Sequence, residues 1–509
     1  MQQESTTPAV ASRDESETRL GVRRSRQRAG LLSILCASGC FLTVVCWLAL
    51  LRWFALVEHY AMPGFAFDKI PGHMQSPVLR GTVLIFCTLG LLYIGIFLLC
   101  RAMPRISLLV KVALVVTVAV SGVINVLLYP VAAIDVFYYL CQLKLAFYYH
   151  QNPYVVTFVP FFAADPFVPY AWPLEVPLTY GPAWLLLSGM PAVLAGFENL
   201  LQLLLSYKLF SFALLALSGW VIAQYQDDEK DRWLGVYTLL ANPLVLFEAV
   251  ANAHNDVMMT FFLLLAVLAL KRQSALALPL LTLAALIKAL SVVLFPLFLL
   301  VMVTHKWQLR SLLVSILLTV VLASVAIAPF WNEGRMVDGL LSGMTFTGTL
   351  ATAAIASFVR ENAQQTQASA AQLVTFRFLL GGLCVVLSFL IAWRLKDVER
   401  VCAYILLVFY TLVVALQPWY LIPVIALLSI QPRRVEFAFI ASASTIGLLI
   451  NILDVWARFS SGLSFTERHL LGTVCMNVPL LLVLVVELWR SPRRREQPAF
   501  RWHGSDRAG

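Results

Sequence analysis

A carboxylate, Asp135, stands just beyond an apolar run that closes at Tyr129, in the stretch Tyr129 to Pro182. An acid held at a membrane boundary rather than in bulk water is a recurrent functional device. A second group follows in the run from Asn242 and Pro243 to Asp256. There Glu248, Asn252 and Asn255 are spaced by four and three, which puts polar groups on one face of a helix ending at His254 and Asp256. That face can line a cavity, or it can be a wet helix end, where His and Asp are common. Lys288 interrupts a long apolar run. At the centre of one span it would cost about 2.5 to 3.5 kcal/mol. Two short helices meeting at Lys288 lower that cost and place the cation on the same side as Asp135. There it suits an anionic lipid phosphate, or a structural pair with Glu248. Gln417, Pro418, Trp419 and Tyr420 form another turn on that side, with an interfacial aromatic belt as the plain alternative. Asp454, Trp456 and Arg458 read as a rim ion pair.

Helices must hold these groups. Of 509 residues, 60% are hydrophobic and 13% charged, which makes this a polytopic membrane protein. Spans are expected at 31–53, 80–100, 106–129, 200–224, 234–252, 256–270, 274–287, 289–303, 309–330, 372–393, 400–416, 419–430, 435–455 and 468–489. The expected fold class is therefore all-α: a transmembrane bundle of about 12–14 helical segments, several shorter than the roughly 20 residues a crossing needs. Residues 183–198 are expected to be interfacial or re-entrant, because 183–224 is too long for one helix and too short for three.

The net charge of +10 sits in the tails and in short connections. These include Arg101 with Arg105, Lys230 with Arg232, Lys271 with Arg272, Lys306 with Arg310, Arg394 with Lys396 and Arg400, and Arg433 with Arg434. All can be placed in the cytoplasm together, which leaves the basic-poor turns, 130–182 among them, outside. Topology thus accounts for the charge and implies no nucleic acid. Both termini are expected in the cytoplasm of a multi-pass plasma-membrane protein. Residues 1–30 read as a disordered tail, 31–490 as the membrane domain and 491–509 as a basic tail. The first span lacks a small-residue cleavage site, so it reads as an uncleaved anchor. The nine cysteines lie mostly in apolar runs without metal-ligand spacing.

After Asp135, Val136, Leu140, Leu143 and Phe147 follow helical spacing, while Asp135, Tyr139, Gln142 and Tyr149 fall nearer the other side. The pattern predicts a short helix in the interface plane. Asn152-Pro153-Tyr154 ends it, and an aromatic-rich loop leads to Tyr180-Gly181-Pro182, where the next helix starts. The polar loop from Trp331 to Gln372 is long enough to be functional. No Walker loop, zinc spacing or dinucleotide fingerprint is present.

Together, the Asp135 loop with its Asn152-Pro153-Tyr154 and Tyr180-Gly181-Pro182, the Asn242-Pro243-Leu244 to His254-Asn255-Asp256 stretch, Ala284-Ala285-Leu286-Ile287-Lys288 and Pro418-Trp419-Tyr420 resemble the GT-C class of membrane glycosyltransferases. The similarity, over roughly residues 106–430, is greatest to bacterial polyprenol-phosphomannose-dependent alpha-mannosyltransferases. The resemblance implies a polyprenyl-phosphate sugar donor, usually mannose, and a glycolipid or cell-envelope glycan acceptor. It also implies an extracytoplasmic active site with interfacial helices, and inversion at the anomeric carbon. Asp135 matches the position of the base. Lys288 or His254 would stabilise the departing lipid phosphate. Glu248, Asn255, Asp256, Tyr154, Tyr180, Trp419 and Tyr420 complete the substrate-binding set. The rings of Tyr138, Tyr139, Tyr180, Trp419 and Tyr420 suit sugar faces. No cofactor and no divalent metal is implied, because a lipid monophosphate needs less help to leave than a nucleotide diphosphate. Gln142-Leu143-Lys144-Leu145-Ala146 departs from the Gly-containing segment that relatives often carry. A transporter or lipid flippase is the rival reading. It predicts two related halves and polar groups on both membrane sides, whereas here they gather on one.

Overall fold

The computed structural model describes residues 9–60, 76–131, 135–161, 164–171, 174–338, 340, 368–412, 417–460, 475, 482, 485 and 486. Among them the chain is a helical bundle without strands, the expected fold class. Five helices are long and apolar enough to cross a membrane: Gln27–Leu51, Pro77–Ala102, Leu108–Leu127, Leu200–Ala223 and Leu309–Phe330. Glu229–Leu240 and Pro243–Ala251, bent by 48°, make a sixth if taken as one span. Shorter apolar helices include Pro182–Ala195, Ala277–Ile287, Ala289–Thr304 and Pro418–Ser429. Most of the expected span at 468–489, the 491–509 tail and most of the loop after Trp331 lie outside the described residues, as do the side chains of Asp454, Trp456 and Arg458.

Local chemistry sets the helix starts. Ser107, Asn199 and Asp228 each cap a helix by accepting from an amide three residues on. Asn242 does the same for Val245 at 3.1 Å, with Pro243 in the first turn, where its missing N–H costs nothing. Helix Leu108–Leu127 shows the membrane pattern of packing. Val110, Leu114, Thr117, Ser121 and Ile124 are buried at helical spacing, while Leu109, Val112 and Val116 are more than half exposed. The polar Thr117 and Ser121 face the other helices, and the outward face is built of large apolar residues, as expected when the solvent is lipid.

The two ends of the bundle differ in chemistry. Arg101 Nη1 donates to the Pro432 carbonyl at 3.3 Å, and Lys230 Nζ donates to the carbonyls of Arg101 and Met103 at 2.8 and 2.7 Å. Those connections therefore meet at one end. From there helix Leu108–Leu127, about 30 Å long at 1.5 Å per residue, runs to the other end. It stops where the Tyr129 amide bonds to the Phe54 carbonyl at 2.8 Å, and Asp135 follows.

Three local details bear on the elements expected from the sequence. Residues 9–30 of the expected tail are described as part of helix Ala9–Leu51. The Asp135 helix, Asp135–Phe147, is present, but every residue from Val136 to Leu145 is buried. Neighbouring helices and loops cover its polar side as well as its apolar one. Finally, the polar face of Glu248, Asn252 and Asn255 is broken. Helical geometry stops at Ala251, and Asn255 heads the next helix, Asp256–Lys271.

Candidate functional site

The Asp135 helix begins with its carboxylate and is anchored near its other end. Lys144 Nζ lies 2.9 Å from Asp165 Oδ2, with both side chains almost fully buried, and 3.8 Å from the centre of the Phe167 ring. Asp165 also accepts from Tyr149 Oη and from the Phe167 amide, each at 2.7 Å. This cluster ties the aromatic loop to the helix. Sequence reasoning missed it; the available signal is a lone Asp165 in an aromatic stretch, three turns of helix and a loop away from Asp135. The Asp135 side chain itself is 39% exposed, so the carboxylate is reachable while its helix is fixed.

Beside it, the run from Asn242 turns irregular. Phe247–Ala251 forms one π turn, closed by the Asn252 amide on the Phe247 carbonyl at 2.8 Å. Such turns are frequent at functional sites. Ala253 follows at φ 56°, a left-handed conformation that a side chain other than glycine's rarely adopts. The strained residue aims His254 back at the preceding turn. Its Nδ1 is 3.6 Å from Asp135 Oδ2, and its Nε2 is 3.3 Å from Glu248 Oε2, at ion-pair distance but without hydrogen-bond geometry. Glu248, fully buried, accepts from Asn252 Nδ2 at 2.9 Å. Trp419 stacks on the imidazole, with ring centres 4.0 Å apart and planes 15° apart.

Lys288 occupies an extended residue (φ −146°, ψ 119°) between helix Ala277–Ile287 and the 3-10 turn Ala289–Leu294. The expected helix break is present. Its partner, however, is Asp256 and not Glu248: Nζ lies 2.9 and 2.8 Å from the two carboxylate oxygens. Asp256 can make this contact because it heads the helix immediately after the His254 turn, while Glu248 points to His254. The ammonium also sits 4.4 Å from the centre of the Tyr420 ring and 5.9 Å from that of Tyr180.

One backbone contact joins the Asp135 loop to the Lys288 break. The Gly181 amide donates to the Ile287 carbonyl at 3.2 Å, and a Cβ at Gly181 would fall 2.0 Å from the Leu286 carbonyl oxygen. Only glycine permits that approach. Tyr180, just before it, lies between the two centres. Its hydroxyl is 3.2 Å from that of Tyr139. Burial, with the Asp135 charge beside it, holds the Tyr180 phenol well above its usual pKa, so it remains a hydrogen-bond donor.

The structure thus brings Asp135, Glu248, His254, Asp256, Lys288, Tyr180, Trp419 and Tyr420 to one end of the bundle, in two linked groups. Tyr154, expected to bind substrate, is buried, and its hydroxyl donates to the Tyr180 carbonyl at 2.8 Å. It supports the loop because that hydroxyl is committed. One face of Trp419 is likewise taken by His254, so this ring is more than an interfacial marker. Asn255 differs from all of these: it is 1% exposed, and neither its amide oxygen nor its nitrogen has a hydrogen-bond partner among the described residues. A buried carboxamide left so costs stability unless a ligand engages it.

Residues 68–304 match the model of the MptA_B family, described as alpha-(1->6)-mannopyranosyltransferase, N-terminal domain. No curated protein matches the chain. The matched stretch includes Asp135, the His254 turn and Lys288, and it ends before Trp419 and Tyr420. The chain is accordingly an all-helical membrane protein whose residues 68–304 are similar to the N-terminal domain of the MptA_B mannosyltransferases.

Proposed function

We propose that the protein moves mannose from a polyprenyl phosphate to a hydroxyl of a lipid-linked or cell-envelope glycan, with inversion, at the extracytoplasmic end of the bundle. The observation that carries this reading is the pairing of a reachable carboxylate, Asp135, with a buried cation, Lys288, through Tyr180 and the Gly181 contact. The acceptor hydroxyl attacks C1 of the sugar as its proton passes to Asp135. The bond from C1 to the phosphate oxygen breaks, and polyprenyl phosphate leaves with the bonding electron pair and one more negative charge. Lys288 has three donor protons; the two oxygens of Asp256 lie together on one side of Nζ, which leaves donor capacity for a phosphate oxygen. His254 stands between Asp135 and Glu248, beside the carboxylate that takes the proton. Asn255 supplies one acceptor and two donors to sugar hydroxyls.

Sidedness is supported by the basic connections. Arg101, Lys230 and the segment before Arg433 meet at the end away from Asp135, and basic loops favour the cytoplasm. The test is to incubate the purified protein with polyprenyl-phosphate mannose or a nucleotide mannose and a panel of glycolipid acceptors, then weigh the products. Transfer from the lipid donor alone is expected. Transfer from the nucleotide sugar alone, or from neither donor, overturns the proposal.

A further inference from the structure

At the end of the bundle opposite Asp135, helices Ser76–Ala102 and Arg434–Ser460 leave a groove of about 590 Å³. Ile94, Phe97, Leu98 and Ala102 line one wall, and Phe437, Ala438, Ala441, Ser442 and Thr445 the other. Its floor is aromatic, because Phe97 stacks on Phe437. The helices come into close contact near Gly90, where a Cβ would clash with Thr445 Oγ1. The hydroxyls of Ser442 and Thr445 are bonded to backbone carbonyls of their own helix, so the groove below its mouth offers only apolar surface.

The mouth is the reverse. Arg101 and Arg434 both line it. Arg434 is exposed, and Arg101 is half-buried with one donor on the Pro432 carbonyl. The acids on the flanking segments are already taken, Asp397 by Arg400 and Arg433 and Glu436 by Arg400. Neither lining guanidinium has an ion-pair partner among the described residues.

Length decides what such a groove holds. From Arg434 to Thr445 a helix rises about 16 Å at 1.5 Å per residue. The hydrocarbon core of a bilayer is about 30 Å thick, so the groove is one leaflet deep. An apolar slot of one leaflet's depth, with two uncompensated arginines at its open end, matches a molecule with an anionic head and a hydrocarbon chain. The geometry points to a binding site for an anionic phospholipid of the leaflet that Arg101 and Arg434 face, separate from the Asp135 site by the length of helix Leu108–Leu127. Basic recesses between helices bind acidic headgroups in this way, and each guanidinium near the surface contributes about fivefold in affinity.

The full-length protein, purified in a neutral detergent, is offered equal amounts of phosphatidylglycerol and phosphatidylcholine, and retained lipid is counted by native mass spectrometry. One phosphatidylglycerol retained in preference to phosphatidylcholine is expected. Arg434→Gln should lower that preference about fivefold, and Arg434→Lys should keep most of it. Ala438→Trp fills the slot without altering charge and should abolish retention. Arg310→Gln, an exposed cation outside the groove, should change nothing. The proposal fails if Arg434→Gln keeps the full preference, if Arg310→Gln loses as much, or if Ala438→Trp retains the lipid.

Discussion

Lys288 holds Asp256 by both carboxylate oxygens, at 2.9 and 2.8 Å, from a residue that belongs to no helix. The cation enters the bundle through a break in the chain, and the acid that meets it heads the helix that follows His254. Each charge is buried against the other, and their aromatic neighbours Tyr180 and Tyr420 close the surroundings.

Removing only the cation leaves a buried carboxylate alone. Lys288→Met should therefore destabilise the fold by about 3–5 kcal/mol, read as a lower thermal midpoint in detergent. Lys288→Met with Asp256→Asn should recover most of that stability and none of the sugar transfer.

Asp135→Asn keeps size and shape at a 39% exposed position, so expression and thermal midpoint should stay at wild-type values. Transfer should fall by about 10²- to 10⁴-fold if the carboxylate takes the acceptor's proton. Product formation from polyprenyl-phosphate mannose in membranes is the measurement, and unchanged transfer would remove Asp135 as the base.

Gly181→Ala places a methyl where the Leu286 carbonyl oxygen already sits. The Asp135 loop and the Lys288 break must then separate, at about 1–3 kcal/mol. Stability and transfer should drop together, whereas an alanine at Gly95, where nothing lies within 4 Å of the added atom, should leave both intact.

Tyr154→Phe keeps the ring and deletes the donor to the Tyr180 carbonyl. Leaving that carbonyl short of a partner should cost about 1–3 kcal/mol. If Tyr154 acts by holding the loop, the thermal midpoint falls while KM for the lipid donor holds. A rise in KM at unchanged stability would instead make it a substrate contact.

Much of this architecture is legible in the sequence, for a physical reason. Spans announce themselves by length and composition, and the break at Lys288 follows from the cost of burying a lone ammonium in a helix. The Asn242-Pro243 cap and the helix start after Gly181 follow from turn chemistry. What could not be read depends on contacts between distant segments. Spacing alone favours Asn255 on the face of Glu248, but a π turn and the left-handed Ala253 reset the register between them. Periodicity on the Asp135 helix suggests one wet face, yet the Lys144 and Asp165 clamp draws a loop over it. The same holds for the choice of Asp256 over Glu248 as the partner of Lys288.

The Gly181 amide on the Ile287 carbonyl has a mechanical corollary. This main-chain bond yokes the stretch that presents the acid to the stretch that presents the ammonium, so on the proposed function the spacing between proton removal and leaving-group support is built into the backbone. Tuning which alcohol is accepted then falls to segments outside that yoke, and insertions between Tyr154 and Gly181 should disturb both functions at once.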